Sequence, residues 1–495
     1  MIRQGVWRAW WCLLAALLLA ATPAAAQTVA TYHGRADRSG NFFMPGLTWA
    51  NAGALRLDGG FAPRFPGHLY AQPLYWRPPG SASGTLVVAS ENDVVTAIDA
   101  ATGRTLWSRT LGTPEPLSAF PCGNIDPLGV TGTPVIDPAT GTLYLDAMVR
   151  GVAGPSHRIF ALSLADGSVR PGWPVDVAAA LRRLGQDFDP HLQNQRAALV
   201  LLGGNVYAGY GGFFGDCGDY HGWVVGIGEN DPGHVVAWRS GAPGGAVWAP
   251  GGIASDGQFL YFATGNTKEA PRWAGGEAVF RASPDLRGDG PASYFAPANW
   301  RTLDDRDLDL GGTNPLPFAV GGAMGAQQLL LALGKDGDAY LINPLDLGGI
   351  GGALLTRRVS TGPIRTSPAV YPRGEAAFIA FQGPGADCPA GQRGDLTVLR
   401  VTAGRSPGLA TAWCGAMRGR GSPIVTTTDG HSDPVVWILG AEGDNRLHGF
   451  EGDSGKPLYT SPPLAGLRHF QTLIAADNRL YVGADGRIYA FDIGR

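Results

Sequence analysis

The stretch "SENDVVTAIDAATGRTLW", residues 90–107, decides the fold, because it holds two strands and the turn that joins them. Its first half carries the alternating apolar pattern of a β-strand with one buried face. The small and polar residues "AATG" predict a tight turn, where Gly tolerates the backbone angles that other residues avoid. A second strand follows and ends in Trp107. The stretch therefore predicts an antiparallel hairpin.

Similar units recur along the chain at intervals of roughly 40–55 residues, the range expected for propeller blades. Each unit opens with a small or polar residue, often with Pro, and then continues through an apolar strand and further strands. Four antiparallel strands per unit are typical of a β-propeller blade. The eight openings are "YAQPLYW" (70–76), "GTPVID" (132–137), "NQRAALVLL" (194–202), "WAPGGIA" (248–254), "LPFAVGG" (316–322), "TSPAVYP" (366–372), "GSPIVTT" (421–427) and "HFQTLIA" (469–475).

The sequence thus predicts an all-β, eight-bladed propeller, or a seven-bladed one if one opening has another role. The unit that opens at His469 has only two further strands before the chain ends. Because an open sheet edge invites aggregation, we expect the segment Leu55–Phe61 to complete that blade. Residues 27–495 contain no linker or shift in composition, so a single domain is expected there. Val177–Leu184 is the one helix candidate.

The first 26 residues have the pattern of a secretory signal. Arg3 and Arg8 precede an apolar run, and small residues follow before Gln27. No later apolar run approaches the about 18 residues that a membrane span needs. A periplasmic or secreted protein is therefore expected, with no membrane span.

Four of the five cysteines lie after the predicted signal, at positions 122, 217, 388 and 414. An even number in an exported chain indicates disulfides, and four cysteines allow three pairings. Cys388 and Cys414 belong to one repeat, which favours Cys388–Cys414 together with Cys122–Cys217.

The charge balance argues against two classes of partner. Removing the signal takes away two of the 38 basic residues and none of the 41 acidic ones, which leaves a net charge of about −5. A mildly acidic chain without basic runs is not expected to bind nucleic acid or an anionic membrane.

The unit at 90–107 resembles the repeat of the pyrroloquinoline quinone (PQQ) type propellers. "ADGRIYAFD" (484–492), "GDSGKPLY" (452–459) and the early "YHGRADRSG" (32–40) are similar to that family as well. The resemblance implies the propeller fold over nearly the whole mature chain. It leaves function open, because the same repeat serves quinoprotein dehydrogenases and non-catalytic assembly proteins.

The resemblance to the dehydrogenases also implies a set of site residues. "VWAPGG…FATGN" is similar to their quinone-stacking Trp and metal-ligating Asn, which gives Trp248 and Asn266. "LDLGG" matches the segment of their catalytic Asp, and "GKDGDAY" matches a turn whose basic residue contacts the quinone, which gives Asp309 and Lys335. Hard oxygen donors suit Ca²⁺, so Asn266 and Asp309 are the expected ligands.

Two further predictions complete this site. The family's Glu metal ligand has no clear counterpart, and its place falls in "GGFFGDCGDYHGW" (211–223), where Asp216 or Asp219 could act instead. Arg196, at a blade opening, is a candidate for cofactor binding. The adjacent Cys-Cys pair found in many of these enzymes is absent.

Three functions remain open at this stage. The first is a quinoprotein oxidoreductase that oxidises an alcohol or sugar with PQQ and Ca²⁺. The second is a non-catalytic propeller that binds an envelope protein. The third is a polysaccharide lyase or hydrolase with a His/Tyr/Arg site, for which Tyr32, Tyr70, Tyr220 and Arg196 are available. The histidines near blade openings or loops that could join this site are His33, His68, His191, His221 and His469. We expect Trp248, Asn266, Asp309 and Lys335 to converge in an enzyme and to scatter in a scaffold.

Overall fold

A computed structural model describes residues 28–493 except 79, 82, 289 and 322–324. The described part of the chain forms eight four-stranded antiparallel blades, numbered here in chain order, so the eight-bladed prediction is confirmed. Neighbouring blades contact one another through their first strands, which surround the axis of the ring. The predicted signal lies outside the described residues.

The first four blades follow the predicted openings. Their strands are Leu74–Trp76, Thr85–Ser90, Val94–Asp99 and Thr105–Thr110 in blade 1; Val135–Asp137, Thr142–Gly151, Gly154–Ser163 and Val175–Asp176 in blade 2; Val200–Leu202, Asn205–Tyr210, Trp223–Gly228 and Val235–Arg239 in blade 3; Ala254–Ser255, Leu260–Ala263, Val279–Ala282 and Tyr294–Ala296 in blade 4. The short strand Gly349–Ile350 adds to the outer edge of blade 4 in parallel.

The other four blades repeat the pattern. Their strands are Leu316–Val320, Gln327–Leu333, Asp338–Ile342 and Leu355–Arg358 in blade 5; Ala369–Arg373, Ala376–Gln382, Leu396–Thr402 and Gly408–Gly415 in blade 6; Ile424–Thr427, Val435–Leu439, Leu447–Glu451 and Pro457–Thr460 in blade 7; Leu473–Ala476, Arg479–Ala484, Arg487–Ile493 and Leu55–Leu57 in blade 8.

An N-terminal strand closes the ring, as the truncated last unit predicts. Leu55–Leu57 pairs antiparallel with Arg487–Ile493 and becomes the outermost strand of blade 8. The Tyr481 hydroxyl of blade 8 donates a hydrogen bond to the Ala100 carbonyl of blade 1, at 3.0 Å. The first and last blades are thereby joined, and the closing strand lies within the predicted segment.

The hydrophobic core is divided among the contacts between neighbouring blades. Each blade presents alternate apolar side chains to the next, and those side chains form clusters shared by two or three adjacent sheets. Blades 1 and 2, for example, bury Val87 against Leu143 and Phe160 within one such cluster. Because every blade packs only on its neighbours, the ring can hold far more residues than one continuous core.

The segment 28–43 crosses the axis at one end and ties several blades together. Its main chain bonds to the first strands of blades 1, 2, 4, 6 and 7. The buried Arg38 guanidinium donates to the carbonyls of Leu199 and Ile253, in blades 3 and 4, at 2.9 and 2.6 Å. This segment, which includes the family-like "YHGRADRSG", therefore lies against the first strands around the axis, and its strand Asn41–Phe43 pairs in parallel with Ile424–Thr427 of blade 7.

Helices are short and few in the described residues. The predicted helix forms as Val177–Arg183, where the Asp176 carboxylate accepts from the Ala179 amide at its N-terminus. A second, Trp300–Arg306, precedes blade 5. The 3₁₀ turns are Ala52–Ala54, Leu117–Ala119, Gly290–Ser293 and Leu310–Gly312. No helix among the described residues has the length and hydropathy to cross a bilayer.

Both favoured disulfides form. Cys388 and Cys414 connect the second-to-third strand loop of blade 6 to its last strand, with Cα atoms 5.7 Å apart. Cys122 and Cys217, with Cα atoms 6.1 Å apart, join the loop between blades 1 and 2 to a loop of blade 3. The second bridge therefore fastens two loops that are distant in sequence.

Candidate functional site

The antiparallel order within a blade places two kinds of loop at the same mouth of the channel. The residues that precede a first strand and those that follow a second strand lie at one end of the sheet. Trp248 and Asp309 precede the first strands of blades 4 and 5, whereas Asn266 and Lys335 follow the second strands of the same two blades. The topology therefore brings all four to one mouth.

Asp309 is the centre of this group. Its carboxylate accepts hydrogen bonds from the Trp248 indole nitrogen Nε1 at 3.2 Å and from the Asn266 main-chain amide at 2.9 Å. The Lys335 ammonium lies 2.7 Å from the same carboxylate. The structure thus brings together Trp248, Asn266, Asp309 and Lys335, all four of the residues expected to converge.

Lys335 is shared between a buried and an exposed carboxylate. Its ammonium also donates to the carboxylate of Asp307, at 2.8 Å, and lies 5.5 Å from the Trp248 ring centroid. The Asp309 side chain is 6% exposed, against 67% for Asp307. The buried Lys335–Asp309 ion pair is therefore the stronger one, since water screens the exposed Lys335–Asp307 pair.

Burial shifts the acid–base properties of this pair. It raises the pKa of Asp309 above its ordinary value, although the positive charge of Lys335 opposes the rise. Burial lowers the pKa of Lys335, but the negative charge of Asp309 outweighs that effect and the net shift is upward. A carboxylate with a raised pKa beside a fixed ammonium is suited to accept a proton.

One glycine makes room for these contacts, and a second lies beside them. A β-carbon at Gly265 would lie 2.6 Å from an Asp309 carboxylate oxygen, so a larger residue would displace Asp309. A β-carbon at Gly312 would lie 3.5 Å from the Trp248 indole and 3.6 Å from the Lys335 side chain. The Gly in "TGN" thus has a packing reason as well as a turn role.

Arg196 lies beside the same mouth, on an aromatic surface. Its guanidinium carbon is 4.9 Å from the Phe470 ring centroid and 5.7 Å from that of Tyr70. Phe470 in turn lies 6.4 Å from the Trp248 ring, and its φ of 68° is unusual for a bulky residue. Burial lowers the pKa of Arg196, as expected for a cation held among rings.

Asp216 is not joined to the Asp309 group by any contact in the described residues. Its carboxylate is exposed and accepts from the Tyr220 hydroxyl at 2.5 Å. Its main-chain carbonyl accepts from Lys268. Asp219 is also exposed and lines a cleft of about 790 Å³ that includes Asn266 and Trp300.

Glu277 is a buried acid of this site that sequence reasoning missed. One of its carboxylate oxygens accepts from the Leu310 amide at 2.6 Å, and the other has no hydrogen-bond partner among the described residues. Burial, followed by the negative charge of Asp309, raises the pKa of Glu277 well above its ordinary value. The sequence feature that could have identified Glu277 is a lone acid immediately before the apolar strand of "GGEAVF".

The residues considered for a lyase or hydrolase come together only in part. Tyr70 lies beside Arg196, with its ring centroid 5.8 Å from that of His469, and the buried Tyr32 lies close enough to Arg196 to influence its pKa. Tyr220 instead contacts Asp216 and lies 4.7 Å from the Lys268 ammonium.

Comparison with known proteins identifies the class of fold. Residues 49–274 match the family model described as outer membrane protein assembly factor BamB. No curated protein matches the sequence significantly. The fold and the repeat are similar to those of the PQQ-type β-propellers, as the resemblance implied.

Three solved structures share this fold over 94% of the chain. The quinohemoprotein alcohol dehydrogenase from Comamonas testosteroni matches with a TM-score of 0.63 and 15% identity over 81% of its chain. The quinohemoprotein alcohol dehydrogenase ADHIIG from Pseudomonas putida HK5 matches with a TM-score of 0.66 and 14% identity over 80% of its chain. A europium-containing methanol dehydrogenase matches with a TM-score of 0.64 and 12% identity over 98% of its chain. At such identities the likeness establishes the fold alone.

Proposed function

We propose that this chain binds PQQ against Trp248 and oxidises an alcohol or sugar there, with Asp309 as the base. One observation carries the proposal: the Asp309 carboxylate directly contacts Trp248, Asn266 and Lys335. A scaffold has no need to hold a buried carboxylate, an ammonium and an indole together at its channel mouth. The dehydrogenase names of the structural neighbours are consistent with this assignment.

The residues fit a planar, acidic quinone. The partly exposed indole of Trp248 offers a face for stacking, and Gly312 leaves space beside it. Lys335, near the Trp248 ring, and Arg196, on Phe470, would supply positive charge for carboxylate and quinone oxygens. Asn314, buried just before the first strand of blade 5, keeps its side-chain oxygen without a hydrogen-bond partner among the described residues.

The same residues do not fit the expected Ca²⁺. Among the described residues, no three acidic, His or Cys side chains gather where a metal ion could be held. Asp309 already accepts from three donors, and the Lys335 ammonium lies beside it at the position a cation would take. Ca²⁺ prefers six to eight oxygens, and Asn266 alone adds one amide. We therefore propose that Lys335, rather than a metal ion, stabilises the negative charge that develops during the reaction.

Each residue has a role that its contacts support. Bound PQQ would supply the acceptor for hydride. Asp309, whose pKa burial raises, would take the hydroxyl proton of the substrate. Lys335 would hold Asp309 in place and face the developing negative charge, and Trp248 would fix the plane of the cofactor.

Reconstitution with PQQ tests the proposal. We expect a saturable change in PQQ absorbance with the wild-type chain, and Trp248→Ala should weaken binding about tenfold or more because the stacking face is lost. Trp273→Ala serves as the matched control, because Trp273 lies at the outer edge of blade 4 and contacts Phe280 and Tyr294 rather than Trp248. Wild-type protein that does not bind PQQ would falsify the assignment and favour a binding or assembly role, as the matched family model suggests.

Removal of metal ions is expected to leave PQQ binding almost unchanged. Since Lys335 occupies the position beside Asp309, chelation with EDTA should leave the affinity for PQQ within about twofold. Titration of PQQ in buffers with added Ca²⁺ or with EDTA measures this directly. A large gain in affinity with Ca²⁺ would show that Asn266 and Asp309 do form a metal site and that Lys335 moves away.

A further inference from the structure

The cleft lined by Asp219 and Asn266 lies beside the axial site, between loops of blades 3 and 4 and the helix before blade 5. Its volume of about 790 Å³ is in the upper part of the range of small-molecule sites, so a ligand larger than a simple alcohol fits. The main-chain amide of Asn266 also donates to the Asp309 carboxylate, at 2.9 Å. The cleft therefore reaches the residues that hold the proposed base.

Hydrogen bonds tie the walls of this cleft to one another. The carboxylate of Asp304, in the helix before blade 5, accepts from the Thr267 amide at 2.9 Å and from the Thr267 hydroxyl at 2.7 Å. Arg301 of the same helix donates to two main-chain carbonyls of the blade 4 loop, and Lys268 of that loop donates to two carbonyls of blade 3. The cleft is therefore formed before a ligand arrives, which lowers the cost of binding.

The lining offers hydrogen-bond acceptors and donors in the same space. The carboxylates of Asp219, Glu269 and Asp305 are exposed and accept no hydrogen bond from the described residues. An ammonium has three N–H donors and a guanidinium has five, so Lys268 and Arg301 each keep donors beyond the two that hold main-chain carbonyls. A ligand rich in hydroxyl groups matches this lining, because each hydroxyl both donates and accepts.

An aromatic ring completes the cleft. Trp300 is partly exposed there, and the Arg301 guanidinium lies 4.7 Å from its ring centroid. An indole is a flat apolar surface, which suits the apolar C–H face of a sugar ring. A charged ligand of either sign fits less well, because a cation would meet the two basic side chains and an anion would meet the free carboxylates.

We propose that this cleft binds a neutral oligosaccharide, and that such a sugar, rather than a small alcohol, is the substrate of the neighbouring site. One sugar ring would pack on Trp300, and hydroxyl groups would pair with the free carboxylates and with Lys268 and Arg301. Binding in the cleft does not require PQQ. The assignment of the bound sugar as the substrate rests on the proposed function, since it needs Asp309 to act as the base.

The test is calorimetric titration of the full chain, without PQQ, with maltotriose, cellotriose and xylotriose. We expect at least one to bind saturably, about tenfold or more weakly in Trp300→Ala and several-fold more weakly in Asp305→Ala, since these changes remove the packing surface and an acceptor. Trp273→Ala and Asp231→Ala are the matched controls and should leave the affinity unchanged. Trp273 lines a separate aromatic pocket between blades 3 and 4, and Asp231 lies in an exposed turn of blade 3.

Three results would overturn binding in the cleft. The first is that none of the three trisaccharides binds at millimolar concentration. The second is that trigalacturonate or spermidine, the charged probes, binds as tightly as the best neutral sugar, whereas we expect each to bind at least about tenfold more weakly. The third is unchanged affinity in both cleft variants. If Trp300→Ala does not fold, Asp305→Ala provides the same test, because the exposed Asp305 carboxylate has no hydrogen-bond partner among the described residues.

Titration with PQQ in parallel separates this proposal from the proposed function. Sugar binding without PQQ binding would leave the cleft as a sugar site and refute its role in oxidation, whereas PQQ binding without sugar binding would refute the cleft alone. If both bind, the reconstituted protein should oxidise the best-binding trisaccharide with a higher kcat/KM than ethanol, and Trp300→Ala should remove that advantage. An equal or higher kcat/KM for ethanol would show that the bound sugar is not the substrate.

Discussion

Asp309→Asn is expected to lower the rate of alcohol oxidation by about 10²–10⁴-fold while PQQ still binds. Asn keeps the shape of the side chain and can still accept from the Asn266 amide, but it cannot take a proton. Lys335 retains Asp307 as a partner, so the local structure should persist. Steady-state kinetics of the reconstituted protein, with PQQ absorbance as the measure of binding, separate the two effects.

The pH dependence provides a second readout for the same residue. The base form of Asp309 is needed, so activity should rise with pH through the pKa of this group. Because burial raises that pKa above the ordinary Asp value, the acid limb should lie at higher pH than for an exposed Asp. In Asp309→Asn, the rise of activity with pH on the acid side of the profile should disappear, and the rate should be low at every pH.

The control for this experiment is Asp231→Asn. Asp231 lies in an exposed turn between the last two strands of blade 3, and its change should leave both rate and pH profile unaltered. If Asp309→Asn retained more than about a third of the wild-type rate, Asp309 would not be the base. The proposed mechanism would then be wrong even if PQQ binds.

The second large effect is expected on stability, from two acids buried in blade 1. Glu91 and Asp93 follow the strand Thr85–Ser90 and are fully buried. One Glu91 oxygen accepts from the Gly129 amide at 2.8 Å, whereas neither Asp93 oxygen has a hydrogen-bond partner among the described residues. Burial, together with the neighbouring negative charges, raises the pKa of Asp93 to about 9, and burial raises that of Glu91 to about 7.

These shifts fix the direction of the pH effect. The folded state holds protons that the unfolded chain releases above the ordinary carboxyl pKa values of about 4. The contribution is therefore fully present below about pH 4 and is lost as pH rises through the folded values of about 7 and about 9. We expect the melting temperature to fall between pH 5 and pH 9.5. The corresponding decrease in the free energy of unfolding is on the order of several kcal/mol.

Asp93→Asn should flatten this dependence. An amide cannot ionise, so the variant should be more stable than the wild type at pH 9 and show a smaller fall across the range. Thermal or urea unfolding from pH 5 to pH 9.5 measures it, with Asp231→Asn as the exposed control. Parallel curves for Asp93→Asn and the wild type would show that another group, or a bound cation at Asp93, governs the pH dependence.

The axial site shows which parts of a function could be predicted. Trp248, Asn266, Asp309 and Lys335 were predicted from motifs similar to those of the quinoprotein dehydrogenases, and strand order explains why they meet, since each lies before a first strand or after a second. Asp216 was proposed because its segment aligns with the place of that family's Glu ligand, yet its carboxylate is exposed and pairs with Tyr220. Its loop is long and is fastened by Cys217 to a distant segment, so strand order does not decide where its side chains lie.

The sequence by itself determined the alternating strands, their turns, the repeats and the short helix after Asp176. These features depend on hydrogen bonds and solvation within a few residues of each other, so they leave a local pattern. The closing strand was predicted for another reason, because the last repeat lacks a strand and an open sheet edge invites aggregation. Only the tertiary structure decided the environment of the side chains. Glu277 and Asp93 look like ordinary turn acids in the sequence, but packing of neighbouring blades removes their water and raises their pKa values. The contact of Asp309 with Trp248 and the aromatic pocket between blades 3 and 4 likewise arise only when separate blades meet, and the contact of Asp309 with Lys335 forms only when two loops of blade 5 come together. Burial and charge depend on every element packed around a residue.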